Sequence, residues 1–176
     1  VKEGRWEAEG SMWVEADTNV ASGEALVRQF MVGKRFFRDE FGVDNKIMWL
    51  PDVFGYSAAI PQLIKKSGME YFMTTKISWN EYNKFPYDTF KWRGIDGTEV
   101  LSHFPPSCHA TVDERKDWQT TYNSKLRPLY VIGGYKRYSQ KNLGKDFLMS
   151  YGFGDGGGGP TIEMLEYGKR MSKGIQ

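Results

Sequence analysis

A chain of 176 residues with 40% hydrophobic and 26% charged residues has the make-up of an ordinary soluble globular protein with one sizeable core, and no run in it approaches the length of a membrane span. Its 24 basic and 22 acidic residues are interspersed and leave a formal net charge of +2; without a basic stripe, nucleic acid is excluded as a partner. The lone Cys108 rules out an internal disulfide and suits a reducing, cytoplasmic setting.

The opening Val1-Lys2-Glu3-Gly4-Arg5-Trp6 lacks the apolar core of a secretory signal, and the absence of an initiator Met reads as a segment of something longer. Arg5 to Gly10 is predicted as a short strand with Trp6 and Ala8 on one face. The following loop, Ser11 to Asn19, gathers Trp13, Glu15, Asp17 and Asn19, which on their own make a polar surface turn. Ser22-Gly23-Glu24 opens a helix, with Ser22 as cap and Glu24 at the positive end of the dipole. Leu26, Phe30, Gly33 and Phe37 recur at helical spacing as one buried stripe, and Gly42 ends the helix.

Lys46 to Leu50 is a strand-length apolar run that leads into Pro51-Asp52-Val53-Phe54-Gly55, and Gln62 to Ser67 is the body of a second helix closing on Gly68. Glu70 to Thr75 is the next strand. The strand, helix, strand rhythm is that of β–α–β units, in which loops at the carboxyl ends of the strands carry chemistry. Thr89 to Ile95 and Glu99 to Phe104, joined by Asp96-Gly97, make a hairpin that interrupts the alternation. Ser107 to Ser124 is aperiodic and reads as a loop. Leu129 to Tyr138 has a helical pattern weakened by Gly133-Gly134. Phe147 to Tyr151 is predicted as a strand running into Gly156-Gly157-Gly158-Gly159, and a last helix begins at Thr161.

Two carboxylates therefore fall just beyond predicted strands, Asp52 and Asp155. On spacing alone Asp52 reads as a cap for the following helix. The four glycines beside Asp155 suggest a phosphate cradle, yet no G-x-G-x-x-G and no Gly-Lys-Ser/Thr accompanies them. What they leave is open backbone beside a carboxylate, suited to close approach of a bulky, hydroxyl-rich ligand. An aromatic content of 15% serves core packing, and it also suits stacking against sugar faces.

Trp49-Leu50-Pro51-Asp52-Val53-Phe54-Gly55-Tyr56-Ser57, Gly152-Phe153-Gly154-Asp155-Gly156-Gly157-Gly158-Gly159-Pro160-Thr161 and Trp13-Val14-Glu15 with Asp17-Thr18-Asn19 resemble α-mannosidases of glycoside hydrolase family 38, particularly the cytosolic and bacterial branch. Ser22-Gly23-Glu24, Leu26 to Gln29, Thr75 to Asn80 and Thr121-Tyr122-Asn123 extend the likeness over nearly the whole chain. The resemblance implies an α/β fold, part of the family's distorted (β/α)-barrel catalytic domain with a β-hairpin excursion around residues 89–104 and no internal domain boundary. It implies a zinc-dependent retaining exo-α-mannosidase acting on mannose-containing oligosaccharides, with room for a homo-oligomer. By that likeness Asp52 is the nucleophile and a zinc ligand, Asp155 the general acid/base, and Phe54 and Lys76 lie near the bound sugar, with Trp13 and Asp17 as further candidates for the pocket wall.

Retaining glycosidases need two carboxyls about 5–5.5 Å apart in most families, one to attack the anomeric carbon and one to protonate the leaving oxygen. The family's zinc site also uses a His-x-Asp pair and a further His that do not occur in this sequence. His103 and His109 read as structural, so Asp52 alone is assigned to the metal and the isolated segment is expected to be inactive. The alternatives are a non-catalytic carbohydrate-binding or scaffold protein derived from the same barrel, and a polysaccharide deacetylase, whose Asp-Asp or His-x3-His cluster is missing.

Overall fold

The computed structural model describes residues 1–80, 82–83, 85–107, 122–154 and 156–174. The chain divides into two compact units, Val1–Ile77 with Thr89–His103, and Ser78–Asp88 with Phe104–Gln176.

In the first unit, helix α1 (Gly23–Phe41) starts where Ser22 Oγ accepts the Ala25 N–H and stops at Gly42, whose φ of 70° only glycine adopts without strain. Leu26, Phe30 and Gly33 are buried, while Phe37 is half-buried. Strand β1 (Ile47–Trp49), helix α2 (Ile60–Lys66) and strand β2 (Tyr71–Met73) form the expected β–α–β unit, with β1 and β2 parallel. Strands β3 (Thr89–Arg93) and β4 (Glu99–His103) pair antiparallel through a turn in which Asp96 Oδ1 accepts the Thr98 N–H. The sheet order is β1-β2-β4-β3. The hairpin is thus part of the sheet rather than an excursion from it, because β4 pairs in parallel with β2. Phe30, Met48, Leu50, Ile60, Ile64, Phe72 and Val100 form the core, each almost fully buried.

The predicted strand Arg5 to Gly10 reduces to a single parallel bridge between Gly10 and Met48. Its Trp6 is exposed; an alternating pattern cannot form a strand where only one residue finds a ladder partner.

In the second unit, helix α3 (Pro128–Arg137) has Pro128 in its first turn. Gly133 and Gly134 do not interrupt it. A Cβ on Gly134 would come 2.8 Å from the Phe147 ring, so the small residue is a packing requirement. Phe147 itself, predicted to lie in a strand, stacks on Tyr138 with centroids 6.4 Å apart, and of that predicted strand only Tyr151 makes a bridge, to Ser124. Helix α4 (Ile162–Met171) begins where Thr161 Oγ1 accepts the Met164 N–H. The glycine run closes a tight loop in which Phe153 and Gly159 exchange both backbone hydrogen bonds, at 2.8 and 2.9 Å. Gly156, Gly158 and Gly159 have φ of 74°, 109° and 83°, values that side-chain-bearing residues rarely adopt.

Candidate functional site

Because β1, β2 and β4 run parallel and in register, their carboxyl ends lie on one edge of the sheet, and the turn carrying Asp52 rises from that edge. Thr75, just past β2, donates through both its hydroxyl (2.5 Å) and its N–H (3.3 Å) to the Pro51 carbonyl. Tyr56 O–H lies 2.7 Å from the Leu50 carbonyl and 2.5 Å from Thr74 Oγ1. Burial, the main cause, pushes the Tyr56 phenol well above its ordinary pKa, so it stays a neutral hydrogen-bonding anchor.

The Asp52 carboxylate meets the Lys76 ammonium at 2.9 Å; the lysine side chain is only 4% exposed and the aspartate side chain 37%. The ammonium also sits 5.2 Å from the centroid of the Phe54 ring, which is 75% exposed. Asp52 does not cap α2: the cap position is Ala59, with no side-chain cap at all. A cation buried beside a reachable carboxylate and an open aromatic face can bind a polyhydroxyl ligand, the ring meeting C–H faces and the charged groups the hydroxyls.

The sequence-predicted residues separate accordingly. Asp52, Phe54 and Lys76 are gathered. Trp13, 55% exposed, packs edge-on against Phe36 and lines a cavity of ≈ 360 Å³ with Glu15, Trp49 and Pro51. Asp17 turns to its own backbone, its Oδ1 accepting the N–H groups of Asn19 (2.9 Å) and Val20 (3.2 Å). Asp155 and His109 lie outside the described residues. His103, at the end of β4, has Nδ1 2.9 Å from Thr89 Oγ1.

Glu15 and Thr18 were assigned no role from sequence. Glu15 Oε1 accepts the Asp52 N–H at 3.1 Å, and the buried Thr18 hydroxyl contacts the same turn. Their presence inside the motif-bearing loop was the available signal.

For zinc, the fit is incomplete: among the described residues no three His, Cys, Asp or Glu side chains converge, and catalytic zinc takes three protein ligands. Asp52 can be one ligand of such a site; the described residues do not make up a full set.

A mixed α/β sheet with an acidic turn at the carboxyl edge of its parallel strands places this chain among α/β domains with an edge-located site. The sequence resolves it further. The family profile described as "Glycosyl hydrolases family 38 N-terminal domain" matches residues 1–175, and the chain belongs to that family. It is 46% identical over 172 residues to an "Alpha-mannosidase" of Saccharomyces cerevisiae, covering 97% of this chain and 15% of the yeast protein. It is 44% identical over 163 residues to "Alpha-mannosidase 2C1" of Homo sapiens, covering 93% of this chain and 14% of the human protein. The chain thus spans about one seventh of the length of these relatives. Among solved structures, an alpha-mannosidase from Enterococcus faecalis matches with a TM-score of 0.60 at 15% identity, over 95% of this chain and 20% of that one, a likeness of fold.

Proposed function

We propose that this chain is part of the single (β/α)-barrel catalytic domain of a cytoplasmic retaining α-mannosidase that removes terminal α-mannosyl residues from oligosaccharides. The observation that carries the reading is the Asp52 turn: a half-exposed carboxylate at the edge of a parallel sheet, paired at 2.9 Å with a buried ammonium, in a chain of family 38.

In the first step an Asp52 oxygen bonds to the anomeric carbon as the glycosidic C–O bond breaks, and Asp155 gives its proton to the departing oxygen. In the second, Asp155 takes a proton from water, the water oxygen bonds to the anomeric carbon, and the bond to Asp52 breaks. Lys76 orients the Asp52 carboxylate through the two steps, and Phe54 offers a face to the sugar. Zn2+, when bound, supplies Lewis acidity toward the sugar hydroxyls. Asp52 would be this chain's ligand for it, alongside ligands that the described residues do not supply.

The test is covalent labelling of the full-length protein with an activated fluoro-mannoside, followed by peptide mass spectrometry. Label on Asp52 is the expected result. Label on another residue removes Asp52 from the nucleophile's role, and mannoside binding without any label favours the carbohydrate-binding alternative.

A further inference from the structure

The Asp52 turn is fastened from two directions. From the sheet side, Thr74 and Thr75 hold Tyr56 and Pro51. From the opposite side in sequence comes the loop of residues 13–19, and its contacts have no counterpart in the chemistry described above. Thr18 is 2% exposed. Its hydroxyl donates to the Gly55 carbonyl at 3.3 Å and accepts the Ser57 N–H at 3.1 Å. Glu15 accepts the N–H of Asp52 itself at 3.1 Å. Gly55, between these fastenings, holds a φ of 139°, a conformation open to glycine and rarely to other residues.

Gly55 lets the backbone follow this path, and the contacts from both sides hold it there. A hydroxyl that both donates and accepts fixes two backbone groups at once. A carboxylate on the Asp52 N–H fixes the peptide plane from which the Asp52 side chain departs. The loop is in turn anchored to α1, where Trp13 N–H donates to the Gln29 carbonyl and Val14 N–H to Gln29 Oε1.

We propose that Thr18 and Glu15 are positioning residues for the nucleophile: Thr18 sets the backbone of the Asp52–Ser57 turn, and Glu15 sets the Asp52 peptide. The inference rests on the reading of Asp52 as nucleophile given under Proposed function. Neither residue needs to touch the sugar. Their effect is expected on the bond-forming step, since displacement of a reacting group by about 1 Å costs on the order of 100-fold in rate.

The experiment uses the full-length protein and an activated fluoro-mannoside, reading the limiting rate of covalent labelling separately from the concentration that gives half that rate. Thr18→Val keeps the side-chain shape and removes the hydroxyl, and Thr18→Ser keeps the hydroxyl. The limiting rate in Thr18→Val is expected to fall about 10- to 100-fold, with the half-saturating concentration nearly unchanged and Thr18→Ser close to wild type. Glu15 is exposed, so its variants test the same idea without burdening the fold. Glu15→Gln keeps an acceptor for the Asp52 N–H and should label at nearly the wild-type rate, whereas Glu15→Met should label slowly.

Wild-type labelling at Asp52 together with an undiminished rate in both Thr18→Val and Glu15→Met overturns this inference and leaves the assignment of Asp52 standing. Equal losses in Glu15→Gln and Glu15→Met also overturn the proposed role of Glu15, because charge rather than the hydrogen bond then matters. Wild-type labelling at a residue other than Asp52 overturns the nucleophile assignment and this inference with it.

Discussion

The substitution Gly33→Ala should destabilise the protein even though it places a better helix former inside α1. A Cβ on Gly33 would lie 2.4 Å from the Ser11 carbonyl oxygen, 2.5 Å from the Met12 carbonyl carbon and 2.7 Å from the Trp13 nitrogen. All three are backbone atoms, so no side-chain rotation relieves the contact; carbon contacts are favourable only near about 3.5–4.0 Å, and helix and loop must part by about 1 Å. The loop is poorly placed to give way. Ser11 already has a φ of 67° and is fully buried, with Oγ 2.6 Å from the Ile47 carbonyl. Overpacking of this kind costs about 1–3 kcal/mol, and a rigid obstacle argues for the upper end. The gain in helix propensity on replacing Gly with Ala offsets about 1 kcal/mol. The net loss is about 2 kcal/mol, or roughly 4–8 °C in melting temperature for a chain of 176 residues. Thermal unfolding followed by tryptophan fluorescence measures it, with Gly23→Ala as control, since a Cβ there meets nothing within 4 Å. A Gly33→Ala protein that melts with the Gly23→Ala control would refute the reasoning, because the contact of α1 with the loop would then be no tighter than open space.

Asp52→Asn in the full-length protein is expected to abolish mannoside turnover while the circular dichroism spectrum stays that of wild type; residual turnover within tenfold of wild type, an allowance set by the general size of nucleophile effects, would count against a covalent role. Asp155→Ala should slow substrates with poor leaving groups far more than activated aryl mannosides, which depart without a proton, and azide should restore the second step; equal losses on both substrate types with no rescue would remove Asp155 from that role. Asp44, held between Lys34 and Lys46 at 2.7 Å from each, has its pKa lowered from 3.8 to about 2, chiefly by the hydrogen bond from Lys34. Its contribution to stability is therefore present above pH 3.8 and lost as the pH falls toward about 2, so Asp44→Asn should flatten the acid limb of an unfolding curve over that window, and an unchanged limb would show the ion pairs to be inconsequential. Titrated with zinc, the 176-residue chain should show no sub-micromolar site, whereas a stoichiometric one lost on Asp52→Asn would mean that this chain completes a ligand set by itself.

What the sequence reveals of this fold is what local chemistry decides. Ser22, Gly42, Thr161 and the Asp96-Gly97 turn act through atoms within a few residues of themselves, and the structure uses each as expected. The two failed strands, Arg5 to Gly10 and Phe147 to Tyr151, needed partners that no local pattern encodes. In the second case Phe147 is committed to Tyr138 and to the space left by Gly134. The hairpin was legible as a hairpin, while its place inside the sheet depends on the pairing of β4 with β2. At the site, the Asp52 turn was visible because proline, glycine and a carboxylate follow an apolar run. The roles of Glu15 and Thr18 were not, because they act across 37 to 39 residues of chain on backbone groups that any sequence supplies. Asp17 was named for the pocket wall by the family likeness, and its carboxylate also accepts the N–H groups of Asn19 and Val20, as an aspartate in such a turn commonly does.

The asymmetry of the Asp52–Lys76 pair bears on why the site reads as functional. A structural ion pair on a surface leaves both partners solvated and contributes little; one in a core hides both, at a desolvation cost that further hydrogen bonds must offset. Here the cation is almost wholly buried and the anion is not, at 4% and 37% exposure. Burying the lysine is costly unless an anion lies beside it, so the protein has reason to keep Asp52 in place. The Asp52 side chain meanwhile keeps part of its surface in contact with solvent. The pair suits the nucleophile role proposed for Asp52, in which the carboxylate must be aimed while part of it stays exposed. Among the described ion pairs of the first unit, Glu24, Asp39, Asp44 and Glu99 all pair with cations that are themselves more exposed than Lys76.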